Sequence, residues 1–424
     1  MEQQRLWIFR NPLALLRLAT ILVGIGFVIF AIMRAIPPST VVFEVGPRGG
    51  SYEQTAMVYR EALKQRGINL ELQYNPDSQG IVDHVNVKQG GAMLGFTAQQ
   101  VAPGRAPNIA SLGAIELQPL FIFYAQQLGE LNTPKQLIGR RIALPPERSA
   151  TSQAALRVLA YYGVDQGNTQ FLFMPLLDAV NGLIAQSYDV GIFMLASGNP
   201  NIARLMRDPN LALLNMSDAD ALSRREPDLS TTTLPKHIYD FVANKPPEDV
   251  ALLGANINVV VNKSLHPGIV YALLGVMAEA HRAPTFVSNT GNFPNSINTL
   301  LPLSSNAETY YKSGTSWFYR EFPMTFAALI DYYLLIAILI FLISECYTSF
   351  AELGHMMSRF SDMAAFQVVL RLERKSRDGG TLRPAQMTLL RLAEHLLTRT
   401  SHRQRGAEIM TRIRGRQEDR HNRP

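Results

Sequence analysis

The sequence is short of the residues from which covalent frameworks and most metal centres are built. Among 424 residues there is a single cysteine, Cys346, which excludes an intrachain disulfide and any zinc or iron–sulfur site made of cysteines. That residue reads as a small apolar filler. The eight histidines are scattered, with His84, His237, His266 and His281 in the middle of the chain and the other four in its last 74 residues, and none falls into a His-Glu-x-x-His or similar metal spacing. There is no Gly-x-Ser-x-Gly elbow, and Ser197-Gly198-Asn199 has no evident histidine partner in sequence. These absences point away from an enzyme, and no cofactor is expected. Short-period repeats and low-complexity tracts are missing as well.

What the chain has instead is apolar length in two places. Residues 13–33 (LALLRLATILVGIGFVIFAIM) carry only Arg17 as a charge, and residues 325–343 (TFAALIDYYLLIAILIFLI) only Asp331. A helix of about 20 apolar residues is what a hydrocarbon core demands, so both runs read as transmembrane helices. The first is too long for the apolar region of a cleaved leader, and Met33 to Pro38 offers no small-x-small site. It therefore reads as an uncleaved anchor over 13–36.

The net charge of +6 hints at nucleic acid or an anionic membrane, but its distribution decides the matter. Residues 1–36 hold four arginines against one glutamate, and residues 351–424 hold 15 Lys and Arg against eight acids, +3 and +7; with Asp331 and Glu345 set apart, the remainder carries −2. Basic flanks stay on the cytoplasmic side. The expected topology is an inner-membrane protein with cytoplasmic segments 1–12 and 344–424 and an outward, periplasmic or extracellular, domain over 37–324.

That domain alternates strands and helices. Val41–Val45 is β-branched and is followed by Gly46-Pro47-Arg48-Gly49-Gly50 and an amphipathic stretch from Ser51 to Arg66, a strand, glycine turn and helix. Further strands are expected at 69–74, 92–96, 120–125, 141–144, 171–174, 190–194, 211–214 and 257–261, with helices at 81–89 and 149–162. The alternation predicts an α/β domain with largely parallel sheets.

Several segments in order resemble the TAXI family of TRAP-type transporter solute-binding proteins. GPRGGSYEQTAMVYREAL resembles the family's opening glycine-rich turn and helix, and Asp77-Ser78-Gln79-Gly80-Ile81 falls where it has a Gly-Gly-Ser loop. AMLGFTAQQ and SLGAIELQPLFIFYA look like the segments leading into the second lobe, and TPKQLIGRRIALPPERSATSQAALRVLAYYGV like the strand and helix of that lobe. AVNGLIAQSYDVGIFMLASGNP is similar to the helix and strand that follow, and YYKSGTSWFYREFP to the approach to a carboxy-terminal anchor, so that the likeness spans residues 41–343. It implies a two-lobed, type II periplasmic binding-protein fold between the two membrane helices, with a helical basic C-terminal tail. Lobe one would cover about 40–122 and 254–320, lobe two about 123–253, with crossovers near Tyr124 and Asn256 and hinge closure over a small solute.

On that reading two helix N-termini, at Ser51 and at Ser149 to Thr151, aim at the cleft, and free N–H groups with the positive dipole end make each an anion site. Gly49 and Gly50 permit close backbone approach, while Ser51, Ser149, Thr151 and Ser152 either hydrogen-bond a carboxylate or serve as plain N-caps. Arg48 and Arg148 stand just ahead of the two helices as bidentate anion clamps; neither position usually carries Arg in the family, and Ala150 stands where Gly is common. Thr97, Gln99 and Gln100 after one strand, with Asn256 and Asn258 at the return crossover, suit neutral hydrogen bonding. Tyr52 and Tyr124 either wall the pocket or pack in the core.

Asp331 lies about 10 Å into the second membrane helix. It is either an interfacial carboxylate that reaches water or the other helix, or a functional one. In the tail, residues 386–398 read as an amphipathic helix carrying Leu389, Leu390, Ala393, Leu396 and Leu397, and 401–424 as a flexible basic end. Contact with inner-membrane lipid leads over docking of a cytoplasmic partner; nucleic acid is not expected, since no aromatic platform accompanies the charge. The resulting expectation is a membrane-anchored receptor for a small anionic solute, an organic acid or amino acid, that serves TRAP permease subunits. The alternative is a sensor reporting occupancy to a cytoplasmic signalling partner.

Overall fold

The computed structural model describes residues 22, 26, 27 and 29–421, apart from 100, 103, 298, 300, 379–381 and 398–402. Two compact units are present, Met1–Tyr332 and Tyr333–Pro424. Most of the first apolar run, 13–33, lies outside the described residues. The second, 325–343, lies near the start of a helix over Met324–Arg377, and its side chains are described only in part. Among the described residues, no helix is long and apolar enough to cross a membrane.

The first unit contains ten strands: β1 Thr40–Val45, β2 Asn69–Tyr74, β3 Ala92–Thr97, β4 Ile109–Ala125, β5 Arg141–Leu144, β6 Gln170–Phe173, β7 Val190–Met194, β8 Leu211–Leu213, β9 Leu229–Leu234 and β10 Val250–Asn262. Their order is β2-β1-β3-β10-β4-β7-β5-β6, with β8 beside β4 and β9 beside β10. Strands β1, β2 and β3 pair in parallel, as do β5, β6 and β7, and each set alternates with helices as the sequence pattern predicts. Where β4 or β10 pairs with another of these strands, the pairing is antiparallel. The sheet is therefore mixed, where a largely parallel one was expected.

The two long strands are the reason. β4 pairs β10 as far as Pro119 and β7 from Leu120 onward, while β10 pairs β9 over 250–255 and β3 over 258–261. One continuous pair of strands thus serves both a first half, built on β1–β3, and a second half, built on β5–β8. The larger core runs beneath the Ser51–Lys64, Ala150–Ala160 and Pro267–Ala280 helices, with Phe43, Tyr59, Phe96, Val158 and Leu273 fully buried. A second cluster lies beneath the Leu176–Ile184 and Pro200–Arg207 helices, around Phe121, Phe193 and Ile202. Burial of this kind stabilises by about 25 cal/mol per Å² of apolar surface.

Local chemistry moved several boundaries. The helix expected from Ile81 starts a turn earlier, at Ser78, because Asp77 Oδ1 accepts from the amides of Gln79 and Gly80 at 3.0 and 3.1 Å. His266 caps the Pro267–Ala280 helix through Nδ1, which accepts from Gly268, and its Nε2 donates to the carbonyl of Ala35 at 3.1 Å. In the second unit the expected flexible end is instead a helix, Arg403–His421, whose Ile409, Met410 and Ile413 bury against Val369 of the Met324–Arg377 helix and Leu390, Ala393 and Leu397 of the Pro384–Leu397 helix. The apolar stripe expected to lie on lipid is thus divided, since Leu390, Ala393 and Leu397 face this core while Leu389 and Leu396 are exposed.

Candidate binding cleft

Between the halves the N-terminus of the Ser51–Lys64 helix meets that of the Ala150–Ala160 helix around a cavity of about 50 Å³. Gly50, Ser51, Tyr52, Ser149 and Thr151, all expected at the site, line it together. Pro47, Pro76, Ser78, Gln118, Pro145, Ala150, Leu176, Met194 and Leu195 complete the wall. Ligand pockets run to roughly 300–1,000 Å³, so the cleft as it stands is shut.

Hydrogen bonds between the halves keep it shut. Ser51 Oγ accepts from the amide of Ala196 at 2.8 Å and from Asn199 Nδ2 at 3.3 Å. The carbonyl of Gly49 accepts from Asn199 and Asn201 at 3.3 and 3.1 Å. On the other side of the cavity Ser78 Oγ accepts the amide of Ala150, the first residue of its helix, at 3.0 Å. Gly49 has φ +75°, and a Cβ there would lie 2.8 Å from Leu177 Cδ2, so this position needs glycine for both backbone and approach.

The remaining hydroxyls are also engaged within the protein. Ser149 Oγ caps its helix on the amide of Ser152, Ser152 Oγ donates to the carbonyl of Pro145 at 2.7 Å, and Thr151 Oγ1 accepts from the amide of Met194 at 3.4 Å. Glu53, in the first turn of the Ser51–Lys64 helix, accepts from the amide of Gly49 at 2.6 Å, so a carboxylate of the chain already occupies this helix N-terminus. Burial raises the phenol of Tyr52, with the nearby Glu116 carboxyl adding to the rise.

Neither arginine clamps the cavity as expected. The Arg48 guanidinium lies over the Tyr74 ring, 4.2 Å from its centroid, and the Tyr74 hydroxyl donates to Glu53 at 2.7 Å. Arg148 pairs with Asp77 at 3.0 Å, joining the two halves at the rim. Tyr124 does not wall this cleft: its hydroxyl accepts from the amide of Leu131 at 3.3 Å, and its ring lines a separate cavity of about 260 Å³ within the second half. Thr97 is buried and closes a turn with Gln99, while Gln99 lines another cavity with Arg157, Glu226 and Asp228. Asn256 sits buried opposite Leu117 of β4, its carbonyl accepting from Asn258 Nδ2 at 3.3 Å. Gln100 lies outside the described residues. Asp331 accepts from the Tyr319 hydroxyl at 3.4 Å.

Sequence reasoning passed over Ser78, Asn199 and Asn201, which do most of the joining across the cleft. Asn199 and Asp77, each ahead of a helix, carried a capping signal, but nothing in sequence says which half a cap faces.

A second cavity, of about 380 Å³, is lined by Ser51, Glu116, Ser197, His281, Phe286 and Phe293 among others.

Residues 78–321 match the model of the NMT1-like family. No curated protein matches the chain. Among solved structures, the periplasmic aliphatic sulphonate binding protein SsuA from Escherichia coli is similar over 57% of this chain and 73% of that one, at 15% identity and a TM-score of 0.38. The alkanesulfonate-binding protein SsuA from Xanthomonas axonopodis pv. citri is similar over 69% and 97%, at 15% identity and a TM-score of 0.36. The amino acid ABC transporter substrate-binding protein AbpA from Streptococcus pneumoniae is similar over 57% and 88%, at 12% identity and a TM-score of 0.35.

Proposed function

This chain belongs to the NMT1-like family, and from that premise we propose that it is a solute-binding receptor of the TAXI type, held at the inner membrane by the apolar runs 13–33 and 325–343. The observation that carries the reading is the meeting of two helix N-termini from different halves at one cleft, joined there by hydrogen bonds and a rim ion pair that opening would release. β4 and β10, shared by the halves, are the hinge. Opening frees the Ala150 amide, Ser51 and Ser78, and a carboxylate or other small anion entering between them takes over those bonds. The solute is accordingly a small anion, an organic acid or amino acid, passed to TRAP-type permease subunits.

Calorimetric titration of the full chain in detergent with dicarboxylates, amino acids and neutral analogues tests this. Binding of anionic solutes, with neutral analogues silent, is the expected result; equal or sole binding of neutral compounds refutes the anionic assignment.

A second reading, a sensor that signals solute occupancy to a cytoplasmic partner, is favoured by the tail. Val369, Leu390, Leu397 and Ile413, with their neighbours on three helices, build an apolar core of their own, which a mere membrane tether does not need. A tail whose protease sensitivity changes when solute is added to the full chain selects the sensor; a tail indifferent to solute selects the uptake receptor.

A further inference from the structure

The cavity of about 380 Å³ has the size of a ligand pocket and a lining unlike that of the cleft. Among the described residues Glu116 is the only acidic one in its lining, and no lysine or arginine lines it. Glu116 is 7% exposed, and among the described residues its carboxyl has no ion-pair partner; its hydrogen-bond donor is Gln118, on the same strand. Ser197, 2% exposed, lines the same cavity, and its Oγ has no hydrogen-bond partner. His281 offers no cation to Glu116, because burial keeps its imidazole neutral and its Nε2 is taken by the Tyr59 hydroxyl at 2.9 Å. Ser51, Gln54, Thr55 and Thr285 add neutral polar groups to the wall, and Val58, Ala283, Pro284, Phe286 and Phe293 give it an apolar and aromatic side.

A buried carboxyl with no cation beside it is costly to ionise, and a buried hydroxyl without a partner carries a cost of its own. An ammonium group answers both: it donates to the carboxylate and to Ser197 Oγ, while an alkyl or aryl body lies against the phenylalanines, whose ring faces favour a cation. We propose that this cavity binds the ammonium group of a small primary amine, with Glu116 as its counter-ion and Ser197 as a second acceptor. The assignment goes beyond the anion cleft, with which the cavity shares only Ser51 among its lining residues.

The test is a calorimetric and thermal-melting series on the full chain in detergent. The probes are methylammonium, n-butylammonium, pentane-1,5-diamine and 2-phenylethylamine, each set against its hydroxyl counterpart. At least one amine binds and raises the melting temperature, and its hydroxyl counterpart does not. Glu116→Gln, which keeps the shape of the side chain and its bond to Gln118, weakens amine binding by about tenfold or more, and Ser197→Ala by about threefold. Dicarboxylate binding is unchanged in both variants, so failure of the amine site and failure of the anion cleft are read separately. The proposal is overturned if no amine in the series binds, if the hydroxyl counterparts bind as well, or if Glu116→Gln leaves the amine affinity as it was.

Discussion

Ser51 Oγ, at the head of a helix in the first half, accepts the backbone amide of Ala196 in the second half at 2.8 Å. A residue of the type that usually caps its own helix is here spent on the opposite lobe, and the Ser51–Lys64 helix has no side-chain cap. Replacement of Ser51 by alanine leaves the Ala196 amide and one proton of Asn199 Nδ2 unpaired in the closed form, which is then disfavoured by about 1–3 kcal/mol. Small-angle scattering of the full chain should show a larger radius for Ser51→Ala, and unchanged dimensions would show that this bond does not hold the cleft shut.

The pair at the rim makes a different prediction. Arg148 and Asp77 are 3.0 Å apart, with side chains 62% and 24% exposed, so Coulomb attraction between them is screened. Arg148→Ala should change stability by less than about 1 kcal/mol, and by less still at high salt. Asp77→Ala should cost about 1 kcal/mol more, because Asp77 also caps the helix that starts at Ser78. Urea denaturation of the two variants measures the difference. In the solute titration Arg148→Ala should bind within a small factor of the unaltered chain, since the guanidinium faces Asp77 and not the cavity; a large loss of affinity would restore the clamp role.

How much of this was legible in the sequence depended on whether a residue's role was local. The glycine turn at 46–50, the serines at 149–152 and strands β1, β2, β5 and β7 follow from β-branched runs, turn glycines and caps, and the structure places those helix ends at one cavity. β4 and β10 were recognised only over part of their length. No strand was expected over residues 109–119, which carry Gly113 and Pro119; Gly113 has φ +119°, and the Tyr311 hydroxyl and the carbonyl of Asn295 stand where a Cβ would be. Those two residues lie some two hundred positions along the chain, beyond any local pattern. The same limit hid the fates of Arg48 and Arg148: their placement before helices was readable, but Tyr74 and Asp77, which engage them, stand on other elements.

The helical tail yields a prediction that separates it from the domain. Ile413 and Val369 are fully buried against Leu390 in the tail core. Ile413→Asp removes an apolar side chain and introduces an unpaired charge there, at a cost of about 3 kcal/mol or more. Limited proteolysis of the full chain should then cut within 384–421 at enzyme doses that leave the unaltered tail whole, while solute affinity at the cleft is unchanged. Equal resistance of variant and parent would mean that this core contributes little to the order of the tail.

Glu116 and His281, which line the same cavity, should pull the pH dependence of stability in opposite directions. Burial pushes the Glu116 carboxyl up from 4.5 to about 7, with its bond from Gln118 opposing the rise. Between those values the folded chain holds a proton that the unfolded chain releases, so this group's contribution is lost as pH rises, by about 3 kcal/mol across the window. Burial pushes the His281 imidazole down from 6.5 to about 4. There the unfolded chain takes up a proton that the folded chain refuses, so this contribution is lost as pH falls, by a similar amount. Tyr52 and Tyr59, the other titratable groups around Glu116, have raised phenols and stay neutral throughout. The two slopes therefore nearly cancel between about pH 4.5 and 6.5. Glu116→Gln should leave a chain whose melting temperature, relative to the parent, climbs as pH is raised through that range, and His281→Gln one whose melting temperature falls. Parallel profiles for parent and both variants would show that neither group is held away from its ordinary protonation by this cavity.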